Sequence, residues 1–250
     1  QVRLSVKFGM LRSPDSSMGG IDARPAAVKN FLAYSLVRLG TDHVDVYRPA
    51  RLDPAVPIED TIGALAELVQ AGYVRAIGLS EVGPETIRRA AKAHPIADLQ
   101  IEYSLASRDP EYAIFPVLAE LGIGATLYGV LSRGLLSASP LVAGDGRAHM
   151  PRFSAVHRET NDRLVAGLQG LATRWGITPS QLAIGWVLSK QPSFVPTLGM
   201  RTLAQLDEAL AAKPLTAEQV AEVEATVPRG SIAGPRYPVA HLAALDSEKR

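Results

Sequence analysis

The sequence predicts an α/β protein, a TIM (β/α)8-type barrel in which six of the eight βα units can be counted. Three observations lead there. Short apolar runs alternate with segments of helical period from residue 2 to about residue 227, and strict alternation calls for parallel strands joined by right-handed crossovers. No G-x-G-x-x-G follows a strand at a helix start, which weakens an open dinucleotide-binding sheet and favours the closed barrel. The length, 250 residues, lets one large α/β domain bury a full core.

The elements justify themselves in order. Val2, Leu4, Val6 and Phe8 alternate with Arg3, Ser5 and Lys7, the period of a strand with one apolar face. The chain starts inside this pattern without Met or a capping turn, so it reads as N-terminally incomplete. Residues 9 to 24 are rich in Gly, Ser and Pro and read as a long loop. Pro25 opens a helix that Gly40 ends. A strand at 43 to 47, a helix at 58 to 72 and a strand at 74 to 80 follow. Next come a helix at 84 to 94, a strand at 97 to 103, a helix at 111 to 122 and a strand at 123 to 129. The polar run 131 to 153 reads as a mobile flap, in which Arg147, Arg152 and the nearby Arg158 are expected on a solvated surface, with the alternative that some reach a bound phosphate when the flap closes. Helices then cover 158 to 176 and 178 to 191, the second with Thr178 as N-cap and Pro179 in its first turn. A strand at 193 to 199 and helices at 202 to 212 and 216 to 227 complete the series, and the tail from 230 to 250 reads as loop.

Composition narrows the partners. Twenty-six basic against 25 acidic residues leave a net charge of +1, which gives no field to favour nucleic acid or an anionic membrane and points to small molecules. No cysteine means no disulfide framework and no thiolate metal site, which fits a cytoplasmic protein. No apolar run is long enough to span a bilayer, and none of the five histidines forms a metal-ligand pair on a credible element. The expectation is therefore no membrane and no metal, with monomer and homo-oligomer both open.

Strand alternation points the inner faces. Arg3, Ser5 and Lys7, Gly78 and Ser80, and Gln100 and Glu102 face the barrel axis, while Ile77, Leu79, Leu99, Ile101 and Tyr103 face the helices. A lysine at the inner end of a strand is costly unless paired, so Lys7 is expected to seek a carboxylate. In such barrels the strand C-termini carry the chemistry.

The residues at those ends, VKFG, the run VPIEDTIGALAELVQAGYVRAIGLSEV, LQIEYS and LYGVLSRGLLS, together resemble the aldo-keto reductases, NADPH-dependent barrel enzymes that reduce aldehydes and ketones. The resemblance runs from residue 2 to about 240 and makes VKFG the third strand, so the first two βα units are expected to be absent and the family domain to lack its N-terminal part. By resemblance Lys7 is catalytic. Ser80, Glu81 and Gln100 hold the nicotinamide amide of NADPH, and Tyr128 stacks on its ring. Gly129, Leu131, Ser132 and Arg133 fall in the pyrophosphate-binding segment. Thr197, Gly199, Arg201 and Gln205 fall in the loop and helix start that hold the adenosine 2′-phosphate, a place where anion binding also follows from helix N-terminal amides. The tail 228 to 250 is implied to fold over the barrel mouth of one domain spanning 1 to 250.

Two departures bear on function. The family's catalytic aspartate and tyrosine belong to the first two units, ahead of residue 1, and its catalytic histidine position is Ala50. An alanine cannot hold a carbonyl oxygen, and Arg48 or Arg51 is the candidate cation in its stead. The leading expectation is hydride transfer from NADPH to a small-molecule aldehyde or ketone. The alternatives are a non-catalytic nucleotide-binding or regulatory barrel and an inactive fragment.

Overall fold

The computed structural model describes residues 2–142 and 144–249. Gln1 and Arg250, the ends of the expected domain, and Ala143 of the expected flap lie outside the described residues. The elements are β1 (Ser5–Phe8), β2 (Met10–Arg12), β3 (Met18–Ile21), α1 (Pro25–Leu39), β4 (Val44–Pro49), α2 (Ile58–Gln70), β5 (Val74–Ser80), α3 (Pro84–Ala93), β6 (Ile96–Glu102), α4 (Pro110–Leu121) and β7 (Gly124–Tyr128), followed by α5 (Ala155–Trp175), α6 (Pro179–Leu188), β8 (Phe194–Pro196), α7 (Leu203–Leu210), α8 (Ala217–Thr226) and α9 (Val239–Ala243). Six parallel strands in the order β1-β4-β5-β6-β7-β8 form a partial parallel α/β barrel, as the alternation requires.

The chain divides into two compact units. The first holds Gln1–Gln100, Tyr112–Ala125 and Ala243–Arg250; the second holds Ile101–Glu111 and Thr126–Leu242.

In the first unit β1 pairs with β4 from Ser5↔Val46 to Phe8↔Pro49. The ladder therefore begins later than the apolar alternation suggests: Val2 lies ahead of it, 82% exposed. The expected loop 9 to 24 contains the antiparallel hairpin β2–β3. Its turn is made by Asp15, whose carboxylate accepts from the Ser17 amide at 2.9 Å and the Ser17 hydroxyl at 2.6 Å. Pro25 at the first turn and Gly40 in the left-handed region at φ 64° bound α1 where the sequence sets them. Tyr47, Ile77, Leu79 and Leu99 are fully buried, as strand alternation demands.

Between those buried positions the inner face is polar. Arg48 is buried and pairs with Asp98 at 3.0 Å, donates to Ser5 Oγ at 2.9 Å and to the Leu79 carbonyl at 3.3 Å. Gly78 makes room for this pair, since a Cβ there would lie 2.7 Å from Asp98 Oδ1 and 3.0 Å from Arg48 Cζ.

In the second unit Thr178 caps α6 through a reciprocal bond with Gln181, and Thr216 caps α8 with Gln219 in the same way. Tyr103 stacks on Trp186 with ring centroids 5.2 Å apart. Among the described residues of the run 131 to 153 there are three 3-10 turns, at Ser132–Gly134, Gly146–His149 and Pro151–Phe153. Arg147 fastens it, with its guanidinium on Asp145 at 2.5 Å, on the Arg133 carbonyl at 3.0 Å and on the Pro140 carbonyl at 2.8 Å. Its bonds hold the Asp145 carboxyl down to about 2. The expectation of solvated arginines holds for Arg158, which is exposed, and fails for Arg152, which is buried against protein acceptors.

Candidate active site

Within the first unit the C-terminal ends of three strands bring polar groups together. Lys7 on β1 donates to Gln100 Oε1 on β6 at 2.7 Å. Gln100 is the register partner of Ser80 on β5. Ser80 is fully buried, and its Oγ has no hydrogen-bond partner among the described residues. A buried hydroxyl left so costs about 1 to 3 kcal/mol, which a bound amide group would relieve. The site thus fits a nicotinamide carboxamide at that atom.

Glu81 follows in the left-handed region at φ 53°, unusual for a residue with a side chain. It is fully buried; its amide donates to the Gln100 carbonyl at 3.0 Å, and its Oε2 accepts from Ser247 Oγ at 2.7 Å. Lys7 keeps contact with solvent, yet its pKa is lowered, first by the packed protein beneath the ammonium, then by the Arg51 and Arg48 guanidiniums, while Glu81 pulls the other way. Glu81 is the carboxylate whose charge opposes that lowering, while the hydrogen bond of Lys7 described above goes to the neutral Gln100 amide and not to the carboxylate an inward lysine was expected to seek.

Ala50, at the family's histidine position, and the two arginines read as candidates in its stead stand differently. Ala50 is buried, and its amide donates to the Phe8 carbonyl at 2.9 Å. Arg48 spends its guanidinium on Asp98, Ser5 and Leu79. Arg51 is half-buried and donates to the Ala50 carbonyl at 2.6 Å.

Within the second unit a second group surrounds Glu102, the inward carboxylate at the end of β6. Arg133, Arg152 and Arg236 approach it at 3.8, 3.6 and 3.5 Å, and Ser107 Oγ donates to it at 2.9 Å. Burial lowers the Arg152 pKa, Glu102 raises it, and the neighbouring arginines lower it again. Arg152 also donates to Ser132 Oγ at 3.2 Å. Gly129 at φ 69° lets the chain pass Glu102, because a Cβ there would lie 2.8 Å from Glu102 Cγ. The backbone then turns through Leu131, whose carbonyl accepts from the Gly134 amide at 2.9 Å, and through Ser132 and Arg133, both with positive φ. The Tyr128 hydroxyl lies 3.4 Å from that of Tyr237, over whose ring Arg133 is seated at 4.6 Å.

After β8 the Thr197 amide donates to the Leu127 carbonyl at 2.7 Å, and Gly199 faces open space. The Arg201 amide donates to Gln205 Oε1 at 2.8 Å, and the Gln205 amide to Thr202 Oγ1 at 3.2 Å, which caps α7 and leaves the Arg201 side chain exposed.

Sequence reasoning missed Arg236, Tyr237, Asp246 and Ser247, all in the tail read as loop. Their signal is long-range only. Arg236 and Tyr237 meet Tyr128 at the end of β7, Ser247 meets Glu81 just after β5, and Asp246 meets the start of α3, all far away in the chain and unmarked by the local pattern.

The sequence profile described as the Aldo/keto reductase family matches residues 1–228. The chain belongs to that family. This corrects the expectation that the family domain would lack its N-terminal part: the match begins at residue 1, and the domain spans nearly the whole chain. A protein named "Probable aldo-keto reductase 1" from Glycine max is 39% identical over 245 residues, which is 95% of this chain and 70% of that protein. "Aldo-keto reductase str7" from Strobilurus tenacellus is 38% identical over 243 residues, 93% of this chain and 70% of that one. Among solved structures, a glycerol dehydrogenase from Gluconobacter oxydans superposes with a TM-score of 0.84 at 25% identity, over 93% of this chain and 74% of its own. An aldo-keto reductase from Bacillus halodurans, in its holo form, gives 0.76 at 28% identity, over 94% and 74%.

At the level of the family the activity is NADPH-dependent carbonyl reduction of small molecules, and this aldo-keto reductase chain is an oxidoreductase of that kind. Among the described residues no helix is long and apolar enough to cross a membrane, and no group of three or more His, Cys, Asp or Glu residues could hold a metal ion.

Proposed function

We propose that this chain itself binds NADPH and reduces a small-molecule aldehyde or ketone, with Lys7 as its charged catalytic group. The observation that carries the reading is the buried Ser80 hydroxyl, unpartnered among the described residues, at the strand end that also bears the Lys7–Gln100 bond. NADPH, when bound, supplies the hydride.

In the first unit Ser80, Glu81 and Gln100 orient the nicotinamide amide. Lys7 holds a proton at Nζ, and its lowered pKa makes it a stronger acid than an ordinary lysine toward an oxygen gaining negative charge. Arg51 supports the same charge from the position beside Ala50, whose methyl offers no donor. In the second unit Tyr128 offers its ring face to the nicotinamide, and Gly129, Leu131, Ser132 and Arg133 offer a turn of amides with a guanidinium to the pyrophosphate. Thr197, Gly199, Arg201 and Gln205 bind the 2′-phosphate at the start of α7.

Single-turnover mixing of the chain with NADPH and a reactive aldehyde tests the reading. NADPH should be consumed with one equivalent of alcohol formed, and Lys7→Met should slow the step by about 10²-fold or more. An unchanged rate in Lys7→Met, or no binding of NADPH by fluorescence titration, would overturn it.

A further inference from the structure

Two consecutive residues of the tail grip the turn that carries Glu81, all of them in the first unit. Ser247 bonds Glu81 twice, its amide donating to the Glu81 carbonyl at 3.2 Å and its hydroxyl to Glu81 Oε2 at 2.7 Å. Asp246 takes the other end of the turn: its Oδ2 accepts from the Gly83 amide at 2.9 Å and from Thr86 Oγ1 at 2.7 Å. Helix α3 has no capping side chain of its own, because its N-cap is Gly83, so the tail provides the acceptor from more than 150 residues away. The approach is close enough to require that glycine, since a Cβ on Gly83 would lie 2.9 Å from the Asp246 carbonyl oxygen. Buried Leu245 anchors the segment just before the two polar residues.

The turn so held is strained. Glu81 at φ 53° is a conformation that a residue with a Cβ keeps only when its surroundings impose it. The Gln100 carbonyl fixes its amide from one side, and Ser247 fixes its carbonyl and its carboxylate from the other.

We infer that Ser247, assisted by Asp246, is a positioning residue for the cofactor: it sets the rotamer and backbone of Glu81, and through Glu81 the affinity for the nicotinamide end of NADPH. This rests on the reading of Glu81 as a nicotinamide ligand. Ser247 does not touch the cofactor in this scheme. Its contribution is to keep one carboxylate oxygen engaged, so that the side chain stays oriented toward the strand ends instead of turning to solvent.

The experiment uses the full chain with Ser247→Ala, Ser247→Thr, Asp246→Asn and, as the reference, Glu81→Gln. NADPH affinity is read by fluorescence titration, KM and kcat by steady-state assay, and amide exchange by mass spectrometry. Ser247→Ala and Asp246→Asn should each raise the NADPH Kd, by about tenfold for Ser247→Ala, the usual worth of a hydrogen bond to a charged group. KM for NADPH should follow while kcat changes little, and faster exchange should be confined to residues 80 to 86. Ser247→Thr, which retains the hydroxyl, should restore the wild-type values.

If Glu81→Gln weakens NADPH and Ser247→Ala does not, the inference fails and the reading of Glu81 stands. If the wild type binds NADPH and Glu81→Gln leaves that binding unchanged, the reading of Glu81 fails and takes the inference with it. Faster exchange across the whole first unit in Ser247→Ala, or no rescue by Ser247→Thr, would assign the tail a merely structural role and overturn the inference.

Discussion

Lys7 Nζ donates a 2.7 Å hydrogen bond to Gln100 Oε1, joining the first and fourth strands of the sheet order on its inner face. The ammonium is thereby held among two guanidiniums and one carboxylate, and the balance lowers its pKa. Arg51→Ala removes the larger of the two repulsive charges and should raise the Lys7 pKa toward its ordinary value of 10.5; Glu81→Gln should lower it further. Nitrogen-detected NMR of the Lys7 ammonium reads both shifts, and an unchanged pKa in Arg51→Ala would show that the Arg51 charge does not set the value and that burial dominates it.

The same depression has a consequence for stability. Between its folded pKa and 10.5 the folded chain binds fewer protons at Lys7 than the unfolded chain does. Lys7 therefore costs stability at neutral pH, and the cost is relieved as pH rises through that window. Lys7→Met should remove this rise from a plot of unfolding free energy against pH while leaving the neutral stability equal or higher.

Gly78 and Gly63 make a matched pair. Alanine at Gly78 places a methyl 2.7 Å from Asp98 Oδ1 and 3.0 Å from Cζ of the buried Arg48, against the ion pair those two form. Gly63, on the exposed side of α2, has nothing within 4 Å of its would-be Cβ. Gly78→Ala should cost about 1 to 3 kcal/mol and Gly63→Ala should gain up to about 1 kcal/mol, both read from urea midpoints. Equal effects at the two positions would contradict the packing of Arg48 and Asp98 across Gly78.

Glu102 holds three guanidiniums with one carboxylate. Glu102→Gln keeps the shape and removes the charge, leaving Arg133, Arg152 and Arg236 to repel one another in a buried place. The expected loss is about 3 to 5 kcal/mol, the cost of breaking a buried ion pair from one side. Added Arg152→Met should recover part of it, since the most buried of the three guanidiniums is then gone. Chemical denaturation of the single and double variants decides this, and a double variant no better than the single would mean that Arg152 is held by its Ala106 and Ser107 bonds instead.

What the sequence made legible was whatever a local period encodes. The limits of α1 follow from Pro25 and Gly40, the start of α6 from Thr178, and the inward side of Ser80, Gln100 and Glu102 from alternation by two. The pairing of those inward groups was not legible, because a period says which way a side chain points and not what waits there. Glu102 meets arginines from positions 133, 152 and 236, and Glu81 meets Ser247; only the return of the chain brings them together. The hairpin β2–β3 escaped for another reason. Met10, Leu11 and Ile21 are half-buried and the rest of its strand residues are exposed, so no apolar alternation marks it, and its turn chemistry at Asp15 and Ser17 reads like any polar loop.

Cofactor choice is the sharpest test of the proposed 2′-phosphate site. The Arg201 amide is fixed by Gln205 Oε1, and Thr202 caps α7, so the backbone at this helix start is held without help from the Arg201 side chain. Replacing that side chain should therefore leave the helix intact and remove one cation. If the guanidinium meets the 2′-phosphate, Arg201→Ala should weaken NADPH binding by about 1.5 to 3 kcal/mol, the worth of a charge-assisted hydrogen bond, and barely change NADH, which lacks that group. Gln205→Ala acts differently: it frees the Arg201 amide, loosens the turn that presents every group of the loop, and should weaken both cofactors, NADPH more. Added salt should close the gap between wild type and Arg201→Ala for NADPH alone, because the lost interaction is between exposed charges. Paired titrations of the two variants with NADPH and NADH at low and high salt measure all of this. Equal losses for both cofactors in Arg201→Ala would move the 2′-phosphate off this residue.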